Sequence, residues 1–250
     1  MIEIIFFIFG AAIGSFLNVL ILRFPDFKSI LTGRSHCPHC KKILTFFELI
    51  PILSFIVLFG RCKNCKKPIS WQYPLVEVAA GTLFVLFYSY FGLTPSLFFY
   101  LIIVCLSIIV FVFDLKYLEI PEIFAWSLLV VAILVSIFST DFNLLNFIYG
   151  GIISGGVIAA FVWFSKERLM GAGDIKIALA FGLIFGPQKS FLFLFLSFVI
   201  GALVGIILIA GKKKGLKSQV AFAPFLFIAA LITLLWGSEI INFYLNFAIM

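Results

Sequence analysis

Residues 95–113 read PSLFFYLIIVCLSIIVFVF, and the next residue is Asp114. An uncharged run of this length suits a helix that crosses hydrocarbon, where about 20 apolar residues cover the core. Comparable runs lie at about Ile4–Leu22, Tyr73–Phe91, Ile120–Phe138, Leu144–Phe164, Ala172–Gly186, Ser190–Ala210 and Val220–Trp236. Together they predict an all-α polytopic membrane protein of about eight transmembrane helices. Composition agrees: the 250 residues are 64% hydrophobic and 12% charged, whereas a soluble domain is about 25% charged. The sixth run is short and bounded by glycine. The tail Glu239–Met250 is too short to span and is expected at the interface. The first run follows no basic segment and precedes no small-residue cleavage site, so it reads as a retained span.

A net charge of +7 raises the question of nucleic acid, and its distribution answers with a membrane. Eight spans put residues 23–72, 114–120, 165–171 and 211–219 on one side. These loops and their flanking helix ends carry 17 of the 18 Lys and Arg residues, leaving Lys189 for the other. Basic loops face the cytoplasm. The expected neighbours are therefore the lipid bilayer and no nucleic acid, with both termini outside. The chain divides into a first helix (1–22), a polar cytoplasmic insert (23–72) and a helical bundle (73–250).

The insert contains Cys37-Pro-His-Cys40 and Cys62-Lys-Asn-Cys65, separated by 21 residues. Two CxxC knuckles at this spacing supply four thiolates to one tetrahedral Zn²⁺. Outside Ile43–Phe59 the insert has few large apolar residues and no core of its own, so a metal is one way to hold it together, and a cytoplasmic location disfavours the competing disulfides. His36 and His39 read as solvated or supporting imidazoles, and Cys105 as a small hydrophobe in a span. Leu49–Gly60, between the knuckles, is apolar but too short to cross. At the membrane surface it would dock the insert.

Most of the 11 acidic residues fall in loops, at span ends or beside lysines. Asp114, closing its apolar run, and Asp174, in Gly171-Ala-Gly-Asp-Ile-Lys176, are different. Ionisable groups at a membrane boundary are costly and mark functional sites, and the parity of the spans puts both at the same face. Two carboxylates in one site share a proton and furnish a general acid and a general base. That equipment activates water against a peptide carbonyl without a metal. Gly171 and Gly173 allow a non-helical entry and close approach of another backbone. The competing reading pairs the aspartates with Lys116 and Lys176. It belongs to a membrane scaffold; a zinc-containing transporter, the other function class open to such a chain, would need paired acids near mid-depth, broken helices or an inverted repeat.

The order of these elements resembles the bacterial type IV prepilin peptidases. The residues that carry the likeness are Gly14-Ser-Phe-Leu-Asn-Val-Leu-Ile-Leu-Arg-Phe-Pro25, the two knuckles with Ile50-Pro51 between them, and Tyr73-Pro-Leu-Val-Glu77. Asp114, Ile120-Pro121, Gly171-Ala-Gly-Asp174-Ile-Lys176 and Phe222-Ala-Pro-Phe225 follow. The resemblance implies an aspartic endopeptidase of the inner membrane that removes the basic leader from prepilins and pseudopilins after a glycine. It places Asp114 and Asp174 at the catalytic positions. It also implies methylation of the new N-terminal amine with S-adenosylmethionine, for which this sequence has no glycine-rich loop; a peptidase without methyl transfer is the nearest alternative. Glu122 stands where relatives commonly have Asp or Asn, and Phe46-Phe47-Glu48 replaces a stretch usually containing Trp and Asp. Neither departure touches the aspartate pair.

Overall fold

A backbone without water beside it must hydrogen-bond to itself, and each apolar run does so as a helix. The computed structural model describes residues 1–139, 142–167, 170–211 and 220–249. Asp141, Arg168 and the basic group Lys212, Lys213, Lys214 and Lys217, used above in counting acids and charges, lie outside the described residues. Among the described residues there is no β-strand, only isolated bridges at His36–Ile43 and Arg61–Pro68. The chain forms two compact units, Met1–Ile109 and Val110–Met250.

In the first unit, α1 (Ile2–Arg23) packs along α4 (Gln72–Phe91). Gly10 and Gly14 sit one turn apart on α1, and a Cβ on either would lie within 2.9 Å of α4. This is the small-xxx-small device by which spanning helices approach each other in lipid. Asn18, fully buried, is satisfied across the pair: its amide donates to the Tyr73 carbonyl (3.2 Å) and its oxygen accepts from Gln72 (3.1 Å). Between these helices run the short α2 (Phe27–Thr32), a 3₁₀ turn at Phe46–Leu49 and α3 (Leu53–Val57). The Arg23 guanidinium donates to the Gly33 and Arg34 carbonyls at 2.8 and 3.0 Å, folding the start of the insert against the end of α1. α5 (Pro95–Tyr117) begins in this unit and ends in the second.

The second unit continues with α6 (Glu122–Ile137), α7 (Leu144–Ser165), α8 (Ala172–Ala210) and α9 (Ala223–Ile249), α8 packing against the other three. At 39 residues, a straight α8 would run about 58 Å, nearly twice the hydrocarbon thickness. It is not straight. Gly186 takes φ 69° and ψ 178° ahead of Pro187. Phe181 and Phe193 would stand about 18 Å apart along a straight helix, yet their ring centroids are 5.9 Å apart. The two limbs of α8 therefore fold back on each other as a hairpin. Pro187 has no N–H for the Leu183 carbonyl, and the Ser136 hydroxyl of α6 donates to that carbonyl instead, at 3.2 Å.

All eight apolar runs are thus helical. Among the described residues six helices are long and apolar enough to cross a membrane, and α6 is a shorter apolar one; α8 contains the sixth and seventh runs with the Gly186 break between them. The last run differs from expectation. α9 continues through the tail to Ile249, because nothing in Gly237-Ser-Glu239 interrupts its hydrogen bonding.

Close packing at the α8 hairpin gives a stability prediction. A Cβ on Gly150 of α7 would lie 2.7 Å from the Gly186 Cα, with backbone on one side and no flexible side chain to yield. Gly150→Ala should cost about 1–3 kcal/mol, read as a lowered thermal midpoint of the purified protein in detergent.

Candidate active site

The last turn of α5 carries Asp114, and the third residue of α8 is Asp174; both are buried. Each carboxylate is held by the start of a helix, where unpaired N–H groups and the helix dipole favour negative charge. Asp174 turns back on its own helix, and its Oδ2 accepts the Gly171 amide at 3.0 Å. Asp114 reaches α9, 109 residues on, where its Oδ2 accepts the Ala223 amide at 2.9 Å with the Phe222 amide beside it. The two carboxylates are close enough for the charge of one to act on the other. Among the described residues the Asp174 Oδ1 is buried with no hydrogen-bond partner. A buried acceptor left open beside a second carboxylate is where the one proton of the pair can sit.

The two lysines offered as partners for these acids are engaged elsewhere or unpaired. Lys176 pairs with Glu122 at the start of α6 and lies over the Trp126 ring, 4.9 Å from its centroid. Lys116 forms no ion pair among the described residues. The glycines before Asp174 divide their work. A Cβ on Gly173 would lie 2.8 Å from the Ile120 Cβ, so the space it leaves is filled by Ile120. Gly171 has ordinary extended backbone (φ −85°, ψ 159°), and a Cβ on it would meet the Gly173 amide nitrogen at 4.0 Å, an ordinary contact.

In the first unit, the sulfurs of Cys37, Cys40, Cys62 and Cys65 all lie within 4.8 Å of one another, a cluster that could hold a metal ion. All are free thiols, with Cys37 to Cys65 at 3.8 Å and Cys40 to Cys62 at 4.0 Å. The knuckles are built alike. In each, the first cysteine accepts on its carbonyl from the amide four residues on and donates its amide to the carbonyl five residues on. In each, a lysine follows the second cysteine with positive φ, Lys41 at 59° and Lys66 at 58°. The turns aim backbone amides at sulfur. The Lys42 amide, and next the Asn64 side chain, hold the Cys40 thiol down at about 6, and the Cys65 and Asn64 amides lower Cys62. Cys65 goes the other way: the Lys67 amide lowers it, but burial and the neighbouring thiols together push it up to about 11. By these contacts alone, only part of the set is held as the thiolate that a metal binds. His36 and His39 are exposed outside the cluster.

Comparison with known proteins places the two halves separately. Residues 8–91, which include the four cysteines, match the model of the bacterial peptidase A24 N-terminal domain. Residues 101–206, which include both aspartates, match that of the type IV leader peptidase family. A prepilin leader peptidase/N-methyltransferase of Bacillus subtilis is 35% identical over 98% of both chains. The chain belongs to this family. Its likeness extends to leader peptidase/N-methyltransferases of Legionella pneumophila, 30% identical over 96% of this chain and 93% of the relative, and of Pseudomonas aeruginosa, 27% identical over 96% and 92%. No solved structure matches it.

Three features of this leader peptidase family member escape a reading of side-chain types. The donors to Asp114 are backbone amides at Phe222 and Ala223, announced only by Pro224 at a helix start. The filling of Gly173 by Ile120 needs coordinates. Glu77 is the third: a buried acid inside α4, whose Oε2 accepts the Ile52 amide at 2.7 Å. As a carboxylate within a span it carried the same signal as Asp114, masked by its place in Tyr73-Pro-Leu-Val-Glu77.

Proposed function

We propose that this protein is an aspartic endopeptidase of the bacterial inner membrane that cleaves the basic leader from type IV prepilins and pseudopilins at the cytoplasmic face. It then methylates the exposed N-terminal amine, with S-adenosylmethionine as the second substrate. The observation that carries the peptidase reading is the buried Asp114–Asp174 pair with one carboxylate oxygen unclaimed.

The mechanism follows from what such a pair can do. Two adjacent carboxylates do not both ionise cheaply, so one proton is shared. The ionised member takes a proton from water as that water adds to the scissile carbonyl; the protonated member hydrogen-bonds the carbonyl oxygen. The proton is then delivered to the departing amine as the C–N bond breaks, and the pair returns to its starting state. Asp114, bonded to amides of α9, is fixed in orientation. Asp174, with Oδ1 unclaimed, is the member left to exchange a proton with the attacking water. Gly171, with no Cβ, allows the close approach of an extended substrate strand.

The fit of the insert to zinc rests on its geometry. A tetrahedral Zn²⁺ with Zn–S of about 2.3 Å spaces its sulfurs by about 3.8 Å; two of the six pairs are at 3.8 and 4.0 Å and all lie within 4.8 Å. Cys37, Cys40, Cys62 and Cys65 would hold the ion with no position left open, which is a structural role.

The test is incubation of purified protein with a prepilin and methyl-labelled S-adenosylmethionine, following leader loss and label transfer together. Intact prepilin would end the peptidase reading, and cleavage without label would restrict it to a monofunctional enzyme. Because both aspartates lie at helix ends, the scissile bond belongs at the membrane boundary, where a basic leader holds the junction. Moving the junction one helical turn, about 5.4 Å, deeper into the apolar segment should reduce processing at least tenfold in the same assay, because helical carbonyls there are already hydrogen-bonded.

A further inference from the structure

The insert is polar and strongly basic, yet its middle turns large apolar side chains to the outside. Phe46 and Phe47 are 77% exposed, Leu53 59%, Ile56 60%, Val57 71% and Phe59 89%. Local structure accounts for why the segment presents them. Glu48 is consumed internally: its Oε2 accepts from the Thr45 amide and hydroxyl at 2.8 and 2.9 Å, and its Oε1 meets Lys42 at 3.4 Å. The charge is thereby withdrawn, and the two phenylalanines beside it are left facing outward. Ile52 is a β-branched residue at φ 62°, a conformation that persists only where surroundings impose it. The imposing contact is the Glu77 carboxylate on the Ile52 amide.

That contact also fixes depth. Glu77 lies five residues into α4, about 7.5 Å along its axis, and the Phe55 ring packs on Trp71 at the head of α4 with centroids 4.9 Å apart. Residues 52–55 therefore run beside the first turn and a half of a membrane span. The outward side chains of α4 at this level are apolar too: Trp71 is 69% exposed and Leu75 62%. Tryptophan at the end of a span marks the interface between acyl chains and headgroups. Charge points to the same surroundings. Residues 23–72 carry nine Lys and Arg against Asp26 and Glu48, and the knuckle lysines flank the apolar segment on both sides.

We propose that residues 46–59 are a membrane-surface anchor: Phe46, Phe47, Leu53, Ile56, Val57 and Phe59 enter the acyl boundary, and the knuckle lysines lie on anionic headgroups. The cysteine cluster is thereby held in the plane of the membrane and not free above it. Amphipathic segments that combine large apolar side chains with a basic rim bind anionic bilayers in this way. The proposal stands on the insert and the head of α4 and is independent of the chemistry assigned to the aspartates.

The test uses the full chain in nanodiscs, with trifluoromethyl-phenylalanine encoded separately at positions 47 and 59 and, as a headgroup-level reference, at position 63. Fluorine relaxation is measured with a nitroxide on the upper acyl chain of the lipid and, separately, with a water-soluble gadolinium chelate. The lipid-to-aqueous ratio should be several-fold higher at 47 and 59, in the acyl boundary, than at 63, which lies at headgroup level, and at 47 and 59 it should rise when phosphatidylglycerol replaces part of the phosphatidylcholine. Ile56→Asp combined with Leu53→Asp should lower the ratio at 59 while one metal per chain is retained, which separates lifting from unfolding. Ratios at 47 and 59 equal to or below that at 63 overturn the proposal. So does a lipid effect that appears only with added prepilin or only with two chains per disc, since the occupant would then be substrate or a second copy.

Discussion

Asp114→Asn and Asp174→Asn are each expected to lower leader cleavage by about 10³-fold or more, and the double variant hardly further. Asparagine preserves shape. At position 174 its amide oxygen still accepts the Gly171 amide, and at position 114 it still accepts that of Ala223. What it removes is the capacity to take and return a proton. Because one proton serves both residues, losing either member empties the site, and a second loss has little left to remove. Asp26→Asn is the control. Asp26 is an exposed cap whose oxygen accepts the Ser29 amide at 3.2 Å, and its loss should leave cleavage near normal. Methylation of a pre-cleaved peptide should survive both active-site changes, which also reports that the variants have folded.

The second large effect belongs to the cysteines. Cys62→Ser should reduce zinc from about one ion per chain to a small fraction and lower methyl transfer at least tenfold, with cleavage changed much less. Cys62 is one of the two buried members of the cluster, so its loss leaves three thiolates and an open position. The knuckle turns, with Lys41 and Lys66 at positive φ, have no apolar core to hold them once the ion leaves. Zinc by mass spectrometry of the intact protein, run beside the two activity assays, gives all three readings. A variant that keeps its metal and its methyl transfer would separate the knuckles from that activity.

The helical runs and the aspartates were legible for one reason: in a chain that is 12% charged, every departure from apolarity stands out. Asp114 ends an uncharged run, and Asp174 follows two glycines. Cysteine spacing was equally plain. What could not be read is carried by backbone and by distance. The Ala223 amide has no side-chain signature, and it meets Asp114 across 109 residues. The α8 hairpin was read as two runs, but its tightness depends on Gly186 and on a serine of another helix relieving Leu183. α9 outran its expected end because the tail's few polar residues do not interrupt a helix. Glu77 was in view and passed over, since its meaning depends on a strained turn 25 residues earlier.

The central claim is that Asp114 and Asp174 work as one acid–base unit, and the pH dependence of kcat/KM for leader cleavage tests it most directly in the unaltered protein. The account predicts a bell-shaped profile whose two limbs belong to the pair, since the shared-proton state is lost both when a second proton binds and when the last one leaves. A rate that rises along a single limb and stays level at high pH would mean that no proton need be retained, and would contradict it.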